Sequence, residues 1–194
     1  MLKMNVRKLI EVLAVAEKLK NNTRHSWTSS NRHESVAEHS WRLALMAYLV
    51  KDEFPDADIS KVILMCICHD LGEAFTGDIP AFSKTESDEV KENDEVQQFL
   101  FNLPEPYKEE LSSLFIEMQS QKSIESRIFK ALDKMEAIIQ HNEADISTWL
   151  PLEYELNLTY GEKEVDFSEY MKELKQAINE DTIRKIQNSK ESVS

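Results

Sequence analysis

The run Val62-Ile63-Leu64-Met65-Cys66-Ile67-Cys68-His69-Asp70-Leu71 is apolar at every position but two, and this one segment dictates much of what the chain can become. A stretch so apolar belongs in a core, where an imidazole and a carboxylate must find partners to offset their desolvation. Read as a helix starting near Ser60, it is apolar on nearly every side as far as His69, which predicts a central helix surrounded by others. Its polar end needs a counter-charge, and a bound cation would serve.

The rest of the chain supports a helical setting for that segment. With 194 residues, only 3 Gly and 5 Pro, and no Gly/Ser- or Pro-rich linker, one all-α domain is expected over 1–194. Its core is expected over roughly 4–145, with a C-terminal excursion and helix over 146–188 and a frayed tail over 189–194. No apolar stretch is long enough to span a bilayer, and Met1 to Arg7 lacks the charge, apolar core and cleavage site of a signal peptide, so a cytoplasmic protein with no membrane partner is expected. Cys66 and Cys68 project about 200° apart on a helix, which suits small core residues better than a disulfide or a shared metal. A formal charge of −13 argues against binding a nucleic-acid polymer, which relies on a basic surface. The acidic stretch from Glu86 to Glu110 most simply solvates exposed helix faces.

Helix boundaries follow from caps and breakers. An amphipathic helix over 4–20 ends at Asn21-Asn22, and a polar loop follows. Ser35-Val36-Ala37-Glu38 has the form of a capping box, so a second helix starts there and runs to about Glu53, before Pro55. Thr76-Gly77-Asp78-Ile79-Pro80 reads as a loop. Further helices are expected over 86–101, 105–120, 123–141 and 168–188. Residues 142–167 lack a clear period and read as an ordered excursion with room for one short helix.

On the second helix, His39 falls among Val36, Leu43, Met46, Ala47 and Val50, so its side chain points into the core. With His69-Asp70 it offers two imidazoles and a carboxylate, suited to a hard or borderline divalent ion. Asp133 is different: Ile124, Ile128, Ala131, Met135 and Ile138 form one stripe, and Asp133 falls nearly opposite it. Periodicity places Asp133 on an exposed face, with only Phe129 and Ala137 suggesting that this face is covered too.

Glu34-Ser35-Val36-Ala37-Glu38-His39-Ser40-Trp41, His69-Asp70-Leu71-Gly72-Glu73-Ala74, Thr76-Gly77-Asp78-Ile79-Pro80 and Ala131-Leu132-Asp133-Lys134 together resemble the HD-superfamily phosphohydrolases. Within them the chain is most similar to the small bacterial 5′-deoxynucleotidases and their eukaryotic relatives, over residues 24 to 145 or so. The resemblance implies a helical bundle around one divalent metal (Mn, Co, Zn, Fe, Ni or Mg) held by His39, His69, Asp70 and Asp133. It also implies a homodimer that hydrolyses deoxynucleoside or nucleoside 5′-monophosphates by attack of metal-activated water. Glu73 would serve as base or proton relay, Asp78 as proton donor to the leaving oxygen or as a contact to the sugar 3′-hydroxyl, and Arg24 as the phosphate-orienting guanidinium.

In the bacterial relatives an aromatic residue follows that arginine, whereas this chain has His25, and Trp27 is expected to take its role. The expected substrate contacts are therefore Arg24, His25, Trp27, Asp78, Ile79, Pro80, Ala81 and Lys84, with Arg32 and His33 as further candidates for phosphate. Trp149, Tyr154 and Tyr160 read as packing residues in preference to a stacking lid. Two rival functions remain at this stage: a cyclic-nucleotide phosphodiesterase or pyrophosphohydrolase of the same superfamily, and a non-catalytic nucleotide- or metal-binding module.

Overall fold

The computed structural model describes residues 4–191, so Met1 to Lys3 and the last three residues of the expected frayed tail lie outside the described residues. Helix α1, Val6–Lys18, starts where Asn5 Oδ1 accepts the Lys8 N–H at 2.8 Å. The polar loop expected after it is instead an antiparallel ribbon, β1 (Thr23–Trp27) and β2 (His33–Ser35), with Thr23 opposite Ser35 and Trp27 opposite His33. The ribbon delivers the chain directly into α2, Val36–Leu49, and the capping box forms as read, with Ser35 Oγ accepting from Glu38 N at 3.2 Å. That helix stops four residues short of Glu53, and residues Lys51–Glu53 tighten into a 3-10 turn before Pro55.

Asp58 Oδ1 accepts from Lys61 N at 3.1 Å and opens α3, Ile59–Cys68. His69 caps its C-terminus, and the chain turns at once into the short helix α4, Glu73–Thr76. Gly72 sits at the turn, where an added Cβ would lie 2.5 Å from Glu92 Cγ and 2.9 Å from Val96 Cγ2. That close approach packs α5, Glu86–Phe101, against the turn. Helices α6 (Tyr107–Ser120) and α7 (Ile124–Glu143) follow, then a 3-10 turn at Ile146–Thr148, α8 (Glu153–Thr159) and α9 (Glu169–Glu191). The last helix continues past the expected end at 188.

Helix α7 is the axis of the bundle, packed by α2, α3, α6 and α9. Its side chains Ile128, Ala131, Leu132, Met135 and Ile138 are buried with Leu43, Val62, Met65 and Cys66 in one apolar cluster. Both cysteines are buried and unpaired, as read. The expectation that α3 is surrounded needs correction, because Leu64 and Ile67 are 41% and 51% exposed. Neighbouring α2 likewise keeps Trp41, Leu45, Tyr48 and Leu49 in solvent. No helix among the described residues is long and apolar enough to cross a membrane.

Candidate metal centre and substrate pocket

Three helices converge on one point. His39 from α2 is fully buried, His69 and Asp70 come from the end of α3, and Asp133 comes from the middle of α7. Asp133 Oδ1 lies 3.3 Å from His39 Nε2 and 3.7 Å from His69 Nε2. Asp70 Oδ2 lies 3.0 Å from His69 Nε2 and 4.0 Å from His39 Nε2. Asp133 is thus turned inward, with its side chain only 14% exposed, against the exposed placement its periodicity implies. Coverage of α7 on several sides leaves it no solvent face at this level.

The atoms aimed at this point are the ones a cation would need. His39 Nε2, His69 Nε2 and Asp70 Oδ2 are buried and make no hydrogen bond, and ligating atoms of His39, His69 and Asp70 all lie within 4.8 Å of one another. Each imidazole is held by its other nitrogen. His69 Nδ1 donates to the Cys66 carbonyl at 2.9 Å, and His39 Nδ1 donates to Glu136 Oε2. Both Nε2 lone pairs then face inward, the arrangement by which outer partners fix a ligating tautomer. Two imidazoles and two carboxylates suit a divalent ion of the Mn-to-Zn series.

Electrostatics at the site point the same way. Burial, reinforced by the Asp70 and Asp78 carboxylates, pushes Glu73 up to about 10. Burial also raises Asp78, with Asp70 adding to it against the Arg24 cation. Burial and Arg24 oppose a charge on His39, yet Glu136 and Asp133 outweigh them and push it up to about 9. Burial works against the Arg24 charge too, but the carboxylates of Asp70, Glu136, Glu34 and Asp78 prevail and raise its pKa. So many carboxylates around so few cations leave a deficit of positive charge that a metal would fill.

A second trio, Glu34, His39 and Glu136, is as compact. Within it Arg42 Nε donates to Glu136 Oε1 at 2.5 Å, while burial and the Glu136 carboxylate push Glu34 up to about 7 although Arg24 Nε lies 3.4 Å from its Oε2. It supports the first group from behind. Lys130 does the same for Asp133, donating to Oδ2 at 2.9 Å. Glu73 is placed by its backbone, whose carbonyl accepts from Asn22 Nδ2, while its own Oε2 is buried and unpartnered.

Beside this centre opens a pocket. Of the residues expected to contact substrate, Arg24, His25, Asp78, Pro80 and Ala81 line it, whereas Ile79 is not among its walls. Arg24 Nη1 lies 3.7 Å from Asp70 Oδ2, which puts the guanidinium where pocket and centre meet. Trp27 is not among the pocket-lining residues; its ring lies against that of His33 with centroids 4.1 Å apart. His33 and Arg32 are also engaged elsewhere, the first with the Arg24 carbonyl at 3.0 Å and the second with both oxygens of Glu38 at 2.6 and 2.9 Å. Lys84 lies in a separate groove with His69, Asp70 and Lys130, and its ammonium is paired with Glu92 at 2.5 Å.

Trp149 packs as read, buried with its Nε1 donating to the His141 carbonyl at 3.0 Å and its ring 5.5 Å from that of Tyr154. Tyr160 departs from pure packing by lining the pocket. The residues that sequence reasoning missed are Glu136, Lys130 and the pocket wall from His141 to Asn157. Only Glu136 left a trace, as a carboxylate between Met135 and Ala137 on a helix otherwise patterned for burial.

Comparison with known proteins matches the HD domain model over residues 16–175. The chain belongs to the HD domain family. Among HD relatives, the human protein named 5′-deoxynucleotidase HDDC2 is 33% identical over 141 residues, 71% of this chain and 68% of that one. The fission-yeast (Schizosaccharomyces pombe) 5′-deoxynucleotidase hdd1 is 25% identical over 159 residues, 73% of this chain and 79% of that one. A crystal structure of a predicted metal-dependent phosphohydrolase from Magnetospirillum magnetotacticum superposes with a TM-score of 0.78 at 22% identity, covering 94% of this chain and 97% of the other, which speaks for the HD fold. A conserved hypothetical protein from Pyrococcus furiosus superposes at 0.67 with 30% identity, covering 89% and 98%. The protein is therefore an HD hydrolase, a metal-dependent phosphohydrolase.

Proposed function

We propose that this enzyme hydrolyses deoxynucleoside 5′-monophosphates to deoxynucleoside and inorganic phosphate, with one divalent cation held by His39, His69, Asp70 and Asp133. The observation that carries this reading is the junction at Arg24: a guanidinium beside Asp70 forms part of the wall of the pocket, so a phosphate at the centre would have its organic substituent in the pocket. The relatives named 5′-deoxynucleotidases support the same substrate class.

When bound, the cation would supply Lewis acidity, lowering the pKa of a water and polarising phosphorus. Arg24 would grip nonbridging phosphate oxygens as a planar fork and stabilise charge developing there. Glu73 Oε2, buried and without a protein donor, would take the proton that the attacking water gives up once the positive charge of a bound cation offsets the burial and neighbouring carboxylates that otherwise hold it protonated. Asp78, whose carboxyl is raised by burial, would hold the proton delivered to the 5′ oxygen as its bond to phosphorus breaks. No protein nucleophile is required, so no covalent intermediate forms.

We also propose a homodimer. Trp41, Leu45, Tyr48 and Leu49 are exposed at spacings of four, seven and eight residues, which puts them on one face of α2. Exposed apolar residues on one helix face, next to an α3 that also exposes Leu64 and Ile67, are suited to a second copy of this chain.

The test is phosphate release from a panel of deoxynucleoside and nucleoside monophosphates, triphosphates and cyclic nucleotides after metal reloading. Release from deoxynucleoside 5′-monophosphates is expected. Diester cleavage or attack on triphosphates without monophosphatase activity would replace this reading with one of its superfamily rivals. Binding without turnover would make the protein a sensor.

A further inference from the structure

The pocket contains a polar group that neither the metal centre nor the fold uses. Asn157, on α8, is 4% exposed, lines the pocket, and its Nδ2 makes no hydrogen bond. A buried donor left without an acceptor opposes folding, so a partner from outside the protein is called for. Its backbone carbonyl is engaged by Lys175 Nζ at 3.1 Å, which anchors the residue while leaving the side-chain amide unclaimed.

The surroundings restrict what that partner can be. Glu153, one turn before Asn157 and 1% exposed, spends Oε2 on the Leu150 N–H at 2.6 Å. Its Oε1 lies 3.0 Å from His25 Nε2 and 3.6 Å from His141 Nε2, close to both imidazoles without a hydrogen bond to either. Apart from the polar Arg24, Ser26 and Asp78, the remaining walls are apolar or aromatic, among them Pro80, Phe82, Ile138, Leu156 and Tyr160. Phe82 is 41% exposed, and its ring is edge-on to His25 at 5.6 Å between centroids. A planar heteroaromatic ring needs apolar walls and one or two polar contacts at its edge.

We infer that this wall is a nucleobase subsite, in which Asn157 Nδ2 donates to a ring nitrogen or carbonyl at the edge of the base and Phe82 packs against its face. The inference rests on the proposed nucleotide substrate for the ligand's identity, and it adds the residue that reads the base. Purines and pyrimidines all present an edge acceptor, so the subsite serves affinity for the base as such.

The experiment uses the full-length, metal-loaded protein and two probes that separate base from phosphate: deoxynucleosides without phosphate, and 2-deoxyribose 5-phosphate without a base. Asn157→Leu removes the donor at similar size. It is expected to weaken deoxynucleoside binding about tenfold by calorimetry, and to raise KM for deoxynucleoside monophosphates by a similar factor with kcat little changed. KM for 2-deoxyribose 5-phosphate should stay within about twofold, since the lost contact is to the base. Phe82→Ala, at a partly exposed side chain, carries the same test if the Asn157 variant does not fold.

Unchanged deoxynucleoside affinity in Asn157→Leu, or in Phe82→Ala where it stands in, or an equal loss for the base-free substrate, overturns the subsite while leaving the phosphatase reading in place. If the wild type releases phosphate from no monophosphate, that reading fails, and the deoxynucleoside arm still decides the subsite. A tenfold loss of binding on Asn157→Leu supports it, and an unchanged affinity overturns it.

Discussion

Glu136 Oε2 accepts the Nδ1–H of His39 from 97 residues away in sequence, and neither side chain is exposed to solvent. The contact decides which nitrogen of His39 faces the candidate metal. Against the cost of its burial, His39 first and then Arg42, which donates to the other oxygen, hold the Glu136 carboxyl below its ordinary value.

Removing that carboxylate should cost metal affinity without removing a ligand. Glu136→Ala is expected to weaken divalent-metal binding about 10- to 100-fold, with Glu136→Gln closer to wild type because its amide oxygen still accepts. Competition with a metallochromic chelator measures it. Equal affinity in Glu136→Ala would remove Glu136 from the centre.

Gly72 sets the approach of α5 to the turn that carries His69, Asp70 and Glu73. A Cβ there would meet the buried Val96 at 2.9 Å and the Glu92 carbonyl at 3.2 Å, and both must give way. Gly72→Ala should destabilise the fold by about 1–3 kcal/mol and lower kcat further than the loss of folded protein accounts for. Urea unfolding and turnover on the same sample check both halves.

Much of this architecture is legible from sequence wherever a cap or breaker marks it. Ser35 with Glu38 opens α2, and Asp58 opens α3 within one residue of the expected start. The ribbon is not legible, because Thr23-Arg24-His25-Ser26-Trp27 has neither a hydrophobic run nor a hairpin turn signature, and its strand form depends on pairing with His33–Ser35. Asp133 misleads for a different reason: helical periodicity reports one buried face, whereas α7 is packed by four helices. The same limit applies in reverse to α3, whose uniform apolarity does not distinguish core from a face left for a partner.

Lys175 gives a pH signature away from the centre. It is 5% exposed, and burial pushes its pKa down to about 8. Below about pH 8 both states hold the proton and the folded protein bears the full cost of the buried charge. Between about 8 and 10.5 the unfolded chain binds more protons than the native one, so stability rises with pH. The stability of Lys175→Met relative to wild type should therefore be most favourable at pH 7 and decline toward pH 10, as read by urea unfolding at both values. A constant difference would show that the ammonium carries no such cost.

The exposed α2 face predicts a specific lesion. Trp41 is 67% exposed on the isolated chain, and a charge there should disfavour burial against a second copy. Trp41→Glu is expected to weaken self-association by about 30-fold or more in sedimentation equilibrium, with unfolding unchanged at concentrations where the wild type is monomeric. A wild type that stays monomeric at high concentration removes the dimer from the account.

The most direct measurement of the central claim is a titration of metal-stripped protein with Mn or Co, following bound metal and phosphate release from a deoxynucleoside 5′-monophosphate in the same sample. The expected result is that turnover rises in step with metal and saturates at one equivalent per chain, and that Asp133→Ala shows neither tight binding nor turnover. Turnover that survives metal removal, requires a second equivalent, or persists with stoichiometric metal in Asp133→Ala would contradict a single-metal centre built on His39, His69, Asp70 and Asp133.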